Sequence, residues 1–333
     1  MKTELLILTP IHEPTMNALG EEYAVHKLWE QPDPAAYLRQ PHPGIRAAAT
    51  SGVSGFRGEQ IANLPALEII ACFGVAHGTL DLPAARARGI VVTNTPDNST
   101  NTVADLALGL MLAVMRRICE ADRYVRAGAW EKKPFPMATA LTGKVCALVG
   151  LGNIGRAIAN RAEACGMRAA YFGPREKNDV PYPYYDDVEA LARDSDCLVV
   201  ACPERPETRN LVNGRVLQAL GPDGFLVNIA RGSVVDEKAL ISALTERAIA
   251  GAALDVFPDE PRVAPALAAL ENVVLTPHIG TSTHEIRRER GDLLLANLRA
   301  HFAGRPVLTP VGGRSSRDQN QYEPPRPPRK SNK

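Results

Sequence analysis

The sequence VCALVGLGNIG, residues 145–155, decides the fold. An apolar run of strand length leads into glycines spaced Gly-x-Gly-x-x-Gly, and the following run, IGRAIANRAEACG, has a helical pattern. In such a turn the first glycine allows the tight bend, the second lets backbone approach a pyrophosphate and the third lets the helix pack on the strand. The helix N-terminus offers its N–H groups to the anion. The stretch therefore predicts a dinucleotide-binding turn made of Gly150, Leu151, Gly152, Asn153, Ile154 and Gly155.

The same strand-and-helix rhythm continues to residue 280. The apolar strand candidates are VCALVG (145–150), MRAAYF (167–172), CLVVACP (197–203), GFLVNIA (224–230), GAALDVF (251–257) and VVLTPHIG (273–280). Parallel strands joined by right-handed helical crossovers form a doubly wound sheet with helices on both faces. We predict an α/β Rossmann domain over residues 101–284.

A second α/β domain is predicted ahead of the first. Its strand candidates are ELLILTP (4–10), AVHKLW (24–29), IRAAATSG (45–52), LEIIACF (67–73) and IVVTNTP (90–96), with helix-like stretches between them and no Gly-rich phosphate loop. This rhythm predicts a flavodoxin-like, doubly wound parallel sheet. A helical pattern near 285–302 is expected to return to this domain, which then comprises residues 1–100 and 285–310. One long helix is predicted over 102–124, and its broadly apolar surface favours a domain or subunit interface.

Composition and charge exclude several classes of protein. The 333 residues include 38 Lys and Arg against 37 Asp and Glu. Six of those basic and two of those acidic residues fall in 311–333, so that segment carries +4 and the rest of the chain −3. We therefore expect neither nucleic acid nor a membrane as the main partner, and no run approaches the ~18 apolar residues of a membrane span. The Pro- and Arg-rich segment 311–333 is predicted to be a disordered basic tail.

The cysteines indicate a reducing compartment. None of the six belongs to a Cys-x-x-Cys pair or a zinc-like Cys/His spacing, and most of them fall in apolar runs. The six are Cys72, Cys119, Cys146, Cys165, Cys197 and Cys202. Such cysteines are typical of buried, reduced thiols in an intracellular protein. We expect a cytoplasmic protein without a metal site.

The end of the second Rossmann strand bears on the choice between NAD and NADP. A carboxylate there binds the ribose hydroxyls of NAD, whereas an Arg accommodates the 2′-phosphate of NADP. Gly173, Pro174 and Arg175 follow this strand, and positions 171–174 hold no carboxylate. We favour NADPH (NADP), with Arg175 pairing with the phosphate. Glu176 is the rival, since it would reach a ribose if the loop folded back, and NADH is then the cofactor.

Three polar residues directly follow later strands of the same sheet. Arg231 follows GFLVNIA, Glu260 follows GAALDVFPD and His278 follows VVLTP, with Asp255 in the second of these blocks. Ligands in open α/β sheets bind outside the carboxyl ends of the strands, where these side chains converge. The strand-end positions therefore predict a ligand-binding site that includes Arg231, Glu260 and His278.

The blocks NIARGSVVDEKAL, GAALDVFPDEP and LTPHIGTSTHE resemble signature blocks of the D-isomer-specific 2-hydroxyacid dehydrogenases. VTNTPDNSTNTVADLALGLMLAVMRR (92–117) is similar to the interdomain helix block of that family. Within the family, the chain looks most like the NADPH-preferring hydroxypyruvate/glyoxylate reductases. The resemblance implies an oxidoreductase with two Rossmann-like domains and an active site in the cleft between them. It also implies a homodimer formed through the nucleotide-binding domain.

The resemblance also implies roles for the residues at the strand ends. His278 would be the general acid for the keto oxygen, with Glu260 holding its imidazole in the charged form. Arg231 would bind the substrate carboxylate and polarise the keto group. Asp255 would orient the nicotinamide carboxamide. The residues expected to border the cofactor are Pro203, Ile229 and Ala230.

The first-domain substrate loop departs from the family pattern. That pattern is Gly-Val-Gly-x-Asp, whereas this chain has Gly74-Val75-Ala76-His77-Gly78. Val75 and Ala76 can still donate N–H groups to a carboxylate, and Ser51 is expected in the neighbouring loop. His77 is either a solvated loop residue or a substrate contact. An aromatic from a partner subunit closes the pocket in some such reductases, and Phe135 is the candidate here.

The preferred interpretation is an NAD(P)H-dependent reductase that converts glyoxylate and hydroxypyruvate to glycolate and D-glycerate. One alternative is a dehydrogenase for another D-2-hydroxy acid, bulkier or aromatic. Another is a dinucleotide-sensing co-regulator with the same fold that acts through protein contacts.

Overall fold

The protein is described from a computed structural model covering residues 2–51, 54–75, 78–96 and 99–311. Its internal contacts divide the chain into two compact units, Met1–Asp97 with His284–Lys333, and Asn98–Thr283. Each unit contains one parallel β-sheet with helices on both faces, which confirms the predicted fold class. The predicted basic tail lies outside the described residues from position 312 onward.

The first unit contains a five-stranded sheet of order β2-β1-β3-β4-β5, with every pair parallel. Its strands are β1 (Glu4–Ile7), β2 (Ala24–Lys27), β3 (Ile45–Ser51), β4 (Ile69–Phe73) and β5 (Val91–Thr93). Its helices are α1 (Glu13–Glu22), α2 (Pro34–Leu38), α3 (Gly58–Ala62), α4 (Leu82–Ala87) and α12 (His284–Phe302).

Burial in the first unit follows the two-residue period of a strand covered on both faces. Leu5 and Ile7 pack in the cluster that includes Leu294 and Leu298 of α12, while Leu6 points to the opposite cluster with Ile61 of α3. The C-terminal helix therefore supplies part of the core of the first unit.

The second unit contains a seven-stranded sheet of order β12-β11-β10-β9-β6-β7-β8, again all parallel. Its strands are β6 (Val145–Val149), β7 (Arg168–Phe172), β8 (Tyr184–Tyr185), β9 (Cys197–Val200), β10 (Phe225–Asn228), β11 (Gly251–Leu254) and β12 (Val273–Leu275). Its helices are α5 (Thr100–Met115), α6 (Ile118–Arg126), α7 (Asn153–Ala164), α8 (Val188–Arg193), α9 (Gly214–Leu220), α10 (Glu237–Thr245) and α11 (Pro265–Ala268).

Two features of the second unit differ from the sequence expectations. The predicted helix over 102–124 is two helices, because Arg117 adopts a left-handed backbone (φ 55°) and its guanidinium binds Glu120 on the next turn. The seventh strand, β8, was not predicted, since two residues are too few to show a strand pattern. The apolar surface of α5 packs largely on the sheet of its own unit, with Ala107 and Met111 fully buried.

The described residues contain neither a membrane-spanning helix nor a cluster of metal-binding side chains. None of their helices is both long and apolar enough to cross a membrane. They also contain no group of three or more His, Cys, Asp or Glu side chains arranged to hold a metal ion. All six cysteines are free thiols.

Candidate active site

The glycine turn after β6 is shaped by close backbone contacts. Gly150 has φ +102°, and a Cβ there would lie 2.8 Å from the backbone N and Cα of Cys202. A Cβ on Gly155 would lie 2.3 Å from the carbonyl oxygen of Gly150, so the third glycine lets α7 approach the turn. A Cβ on Gly152 would meet nothing within 4 Å. The first and third glycines therefore lie against backbone atoms, whereas the space beside the middle glycine is open.

The start of α7 differs from the starts of the next three helices, α8, α9 and α10. Asp187, Asn213 and Asp236 cap α8, α9 and α10 by accepting hydrogen bonds from backbone N–H groups, whereas Gly152 precedes α7 with no side-chain cap among the described residues. Free N–H groups and the positive end of the helix dipole suit an anion. Burial raises the pKa of the neighbouring Cys202 thiol to about 11, which keeps it uncharged. The turn therefore fits a dinucleotide pyrophosphate.

The other expected cofactor contacts surround this turn within the second unit. Buried Gly173 and exposed Pro174 and Arg175 follow β7, which is the neighbour of β6 in the sheet. Pro203 follows β9, the neighbour of β6 on its other side. The remaining pair, Ile229 and Ala230, follows β10 and is 8% and 7% exposed. The sheet order thus brings these residues to one edge of the sheet.

His278 and Glu260 form a hydrogen-bonded pair. The Nδ1 atom of His278 lies 2.7 Å from Oε2 of Glu260, and Oε1 of the same carboxylate accepts a hydrogen bond of 2.9 Å from the Phe257 N–H. Because an ionised carboxylate only accepts, Nδ1 carries the hydrogen and Nε2 is left for other chemistry. The imidazole is about half exposed, with 46% of its side-chain area accessible, so it is open to a reactant.

Asp255 holds the loop that carries His278. Its carboxylate is 2% exposed and accepts three hydrogen bonds, from the Thr276 hydroxyl (2.6 Å), the Ile279 N–H (2.8 Å) and the Gly280 N–H (3.0 Å). The two N–H donors directly follow His278, whose backbone is left-handed (φ 53°). A non-glycine residue in that conformation needs support from its surroundings. The Asp255 carboxylate supplies this support.

Arg231 is held through its backbone by Asn228, which ends β10. The Asn228 side chain is buried, accepting from the Ala230 N–H and donating to the Arg231 carbonyl, both at 3.0 Å. The guanidinium itself is exposed and donates to the Ala230 carbonyl. A Cβ on Gly232 would lie 2.0 Å from the Phe257 carbonyl carbon, so the Arg231 loop packs directly on the segment leading to Glu260.

Asn228 and Gly232 were not predicted from the sequence as site residues. The role of Asn228 could have been predicted from the sequence, because an amide side chain at the end of an apolar strand is well placed to bind the backbone of the following loop. The structure thus brings Arg231, Glu260 and His278 to the carboxyl ends of neighbouring strands and shows the contacts that support each of them.

The expected substrate residues follow β3 and β4 of the first unit. The Ser51 hydroxyl donates to the Ser54 hydroxyl (3.1 Å) and accepts from its N–H (3.2 Å). Val75 is 48% exposed, and its carbonyl accepts a 3.0 Å hydrogen bond from the Asn94 amide. The Thr95 hydroxyl accepts from the Gly74 N–H at 2.7 Å, so the segment directly after β5 fixes the start of this loop. Ala76 and His77 lie outside the described residues.

Phe135 packs within its own chain. Its ring centroid lies 5.3 Å from that of Tyr124, and the Arg117 guanidinium lies 5.0 Å from its centroid. The more exposed aromatic in this stretch is Trp130, at 66%.

Comparison with known proteins identifies the family. Residues 108–280 match the model of the D-isomer specific 2-hydroxyacid dehydrogenase, NAD binding domain. The chain belongs to that family. It is therefore an oxidoreductase with a binding domain for a nicotinamide dinucleotide, and the resemblance inferred from the sequence is confirmed.

Individual members of the 2-hydroxyacid dehydrogenase family are similar over nearly the whole chain. A hydroxyphenylpyruvate reductase of Plectranthus scutellarioides and glyoxylate/hydroxypyruvate reductase A (HPR2) of Arabidopsis thaliana are each 46% identical, over 92% of this chain and 98% of theirs. The NADPH-dependent glyoxylate/hydroxypyruvate reductase of Sinorhizobium meliloti, solved with citrate, has a TM-score of 0.81 at 39% identity, over 93% of this chain and 98% of its own. Its complex with NADP and malonate has a TM-score of 0.78 at 38% identity, over 94% and 97%.

Proposed function

We propose that this protein is an NADPH-dependent reductase of small 2-keto acids, with glyoxylate and hydroxypyruvate as its main substrates. The observation that carries the proposal is the His278–Glu260 pair at 2.7 Å, on the same sheet edge as Arg231 and the glycine turn. This arrangement combines a proton donor, a carboxylate-binding cation and a dinucleotide site, which are the groups that keto acid reduction needs. The names of the Arabidopsis and Sinorhizobium relatives support the substrate class.

The catalytic roles follow from this geometry. The nicotinamide, when bound, supplies a hydride to the keto carbon. His278 donates the proton on Nε2 to the keto oxygen, while Glu260 holds Nδ1 and stabilises the imidazolium. Arg231 binds the substrate carboxylate through its planar guanidinium, which matches a carboxylate in a bidentate pair. The same groups act in the opposite sense when a 2-hydroxy acid is oxidised.

Asp255 and the first-unit loop residues have supporting roles in the proposal. Within the part of the chain that the structure describes, the Oδ2 atom of Asp255 accepts one hydrogen bond, from Gly280, which leaves a lone pair for the nicotinamide carboxamide. Ser51, Val75 and Ala76 are proposed to contribute to binding the substrate carboxylate, with Val75 and Ala76 acting through their N–H groups. The first unit, residues 1–100 with 285–310, is thereby the proposed substrate-binding domain, and residues 101–284 the nucleotide-binding domain.

The NADPH preference rests on the loop after β7. Arg175 is exposed at the start of that loop and makes no hydrogen bond or ion pair with another described residue, so its guanidinium is available to a 2′-phosphate. Measuring kcat/KM with NADPH and with NADH tests this choice. We expect a clear preference for NADPH. A several-fold preference for NADH would indicate that Glu176 binds the ribose hydroxyls instead.

Reduction of a bulkier, aromatic 2-keto acid is the second candidate function. It is favoured by the relative named hydroxyphenylpyruvate reductase, which is 46% identical to this chain. Parallel assays of NADPH oxidation with glyoxylate, hydroxypyruvate and phenylpyruvate separate the candidates. We expect the highest kcat/KM with one of the two small acids. Fastest turnover of phenylpyruvate would favour an aromatic 2-keto acid reductase, and no turnover of any of them would favour the co-regulator.

The proposal also includes an oligomeric state and a cellular compartment. Four apolar side chains are exposed on and after α6, and we call them the α6 apolar surface: Ile118, Val125, Trp130 and Met137, 51% to 95% exposed. Exposed apolar patches of this kind mark protein interfaces. The protein is proposed to form a homodimer through this surface and, because all six cysteines are free thiols, to work in the cytoplasm.

A further inference from the structure

The loop from Gly173 to Asp179 is held in place by two tyrosines. The Tyr171 side chain is buried, and its hydroxyl accepts a 2.7 Å hydrogen bond from the Lys177 N–H. The Tyr184 hydroxyl donates to the Gly173 carbonyl at 3.1 Å. Both contacts involve backbone groups of the loop, so the tyrosines fix its path, while Arg175, Glu176 and Asp179 are exposed. In this fold the loop after the second strand lies at the adenosine ribose of the dinucleotide.

An ion pair connects this loop to the start of α7. Arg156 directly follows Gly155, the third glycine of the turn, and its Nη2 atom lies 2.9 Å from both carboxylate oxygens of Asp179. The Arg156 side chain is 33% exposed and that of Asp179 is 70% exposed. Arg156 therefore connects the helix that follows the pyrophosphate turn with the ribose loop, and a nearby Arg is what accommodates a 2′-phosphate in this fold.

The surroundings of Asp179 favour an anion. The hydrogen bond and charge of Arg156 hold the pKa of the Asp179 carboxyl below its usual range, and the charge of Lys177 adds to the effect. The loop also carries Arg175, so three cations, Arg156, Arg175 and Lys177, lie on or beside a loop that holds two carboxylates, Asp179 and Glu176. A phosphate carries more negative charge than a carboxylate and has three acceptor oxygens, so it is the stronger partner for a guanidinium.

We propose that Arg156 is a second cation for the ribose 2′-phosphate, besides Arg175, and that Asp179 is the counter-ion which Arg156 gives up when the phosphate binds. This inference rests on the proposed NADPH preference and identifies residues that set it. Asp179 then opposes the binding of NADPH, because its carboxylate competes with the phosphate for the same guanidinium. It has no such effect on NADH, which lacks the phosphate.

The test measures binding by calorimetry, without catalysis. The full-length protein is titrated with adenosine 2′,5′-bisphosphate and with adenosine 5′-monophosphate, which differ in the 2′-phosphate. We expect Arg156→Gln to weaken binding of the bisphosphate roughly 10- to 100-fold, the range for a hydrogen bond between charged groups. Asp179→Asn should strengthen it about 2- to 5-fold, as for the loss of an exposed competing ion pair. Neither variant should change binding of the monophosphate.

A matched control lies on the same helix. Arg161 of α7 pairs with Asp105 at 2.7 Å, and Asp105 is 66% exposed, close to the value for Asp179. We expect Arg161→Gln and Asp105→Asn to leave the binding of both ligands unchanged. These controls separate the local effect of Arg156 from a general effect of losing a charge on α7.

The sign of the two effects decides the proposal. If the Arg156–Asp179 pair served only to hold the loop, both variants would weaken binding of both ligands alike, which would overturn the inference. Should Arg156→Gln fail to fold, unchanged or weakened bisphosphate binding by Asp179→Asn would still overturn it. If the unaltered protein binds both ligands equally, the NADPH preference fails and the inference with it. If Arg156→Gln still prefers the bisphosphate over the monophosphate and only Arg175→Gln loses this preference, the role of Arg156 is refuted while the NADPH preference stands.

Discussion

At the residue scale, the proposed site depends on residues that contact and hold the proposed catalytic side chains. Glu260 holds one ring nitrogen of His278, and Asp255 supports the left-handed backbone of the same residue. The Asn228 side chain hydrogen-bonds the backbone of the Arg231 loop. Groups that act on a substrate are effective only when held in the productive geometry. The buried carboxylate and amide are therefore as much a part of the site as the exposed side chains.

Removing the imidazole of His278 tests its role as proton donor. We expect His278→Ala to lower kcat by about 10²- to 10⁴-fold, the usual contribution of a positioned general acid. Binding of adenosine 2′,5′-bisphosphate should not change, because the imidazole lies on the loop after β12 and the glycine turn follows β6. Turnover close to that of the unaltered enzyme would refute the assigned role.

A methyl group at Gly232 tests the contact between the Arg231 loop and the Phe257 segment. The added Cβ would lie 2.0 Å from the Phe257 carbonyl carbon, so one of the two loops must move. We expect Gly232→Ala to lower the free energy of unfolding by about 1–3 kcal/mol, the range for overpacking, and to lower kcat/KM. Gly214→Ala is the control, since its Cβ would meet Ala239 at an ordinary 3.8 Å. Equal melting temperatures for the two variants would contradict this interpretation.

At the element scale, α12 is attached to the first unit by apolar packing and by ion pairs. Leu294 and Leu298 are fully buried against the sheet. Near the end of the helix, Arg299 binds Glu22 of α1, and His301 lies 3.3 Å from Glu68, which Arg46 of β3 also contacts at 2.6 Å. Apolar burial provides most of the stabilisation of such a helix, and exposed ion pairs add little.

The Glu68 contacts give a pH-dependent contribution to stability. Hydrogen bonds from Arg46 and His301 lower the pKa of the Glu68 carboxyl from 4.5, so its contribution is present above that pH and is lost as the pH falls through the lowered value. We expect Glu68→Gln to reduce the free energy of unfolding at pH 7 by at most about 1 kcal/mol, and the difference from the unaltered protein to shrink below pH 4. Denaturant unfolding across pH checks this, with Glu13→Gln on α1 as the control. A difference that does not shrink in acid would contradict the ion-pair explanation.

At the scale of the whole molecule, the exposed apolar side chains are concentrated in one region of the second unit. The α6 apolar surface holds four of the seven large apolar side chains exposed among the described residues. The helix that carries Ile118 and Val125 has no buried residue of its own. Its apolar side chains are therefore available to a second copy of the chain.

The homodimer proposal predicts a mass of twice 35.9 kDa in solution by sedimentation or light scattering. We expect the double substitution Val125→Glu and Trp130→Glu to shift the protein to the monomer, because it would place charges in the interface. Leu308→Glu, at an apolar side chain 44% exposed in the first unit, is the control and should leave the mass unchanged. A monomeric unaltered protein, or a dimer that survives the double substitution, would contradict the proposal.

Much of the fold and part of the site followed from local sequence patterns. The glycine turn could be predicted because strand, glycines and helix are contiguous from 145 to 165. Arg231 and His278 could be predicted because each directly follows an apolar strand of a parallel sheet. The break at Arg117 and the strand β8 could not, since a single left-handed residue and a two-residue pairing leave no periodic pattern.

The sequence by itself determined the parallel α/β architecture, the glycine turn and the strand ends that carry the candidate site residues, because these depend on apolar periodicity and on glycine geometry within short segments. Only the tertiary structure decided which groups meet. The pairs Asp255 with Gly280 and Arg156 with Asp179 are 25 and 23 residues apart along the chain. Such pairs form because sheet order and loop path bring separate strand ends and helix starts together, and a linear pattern of residues does not record those distances.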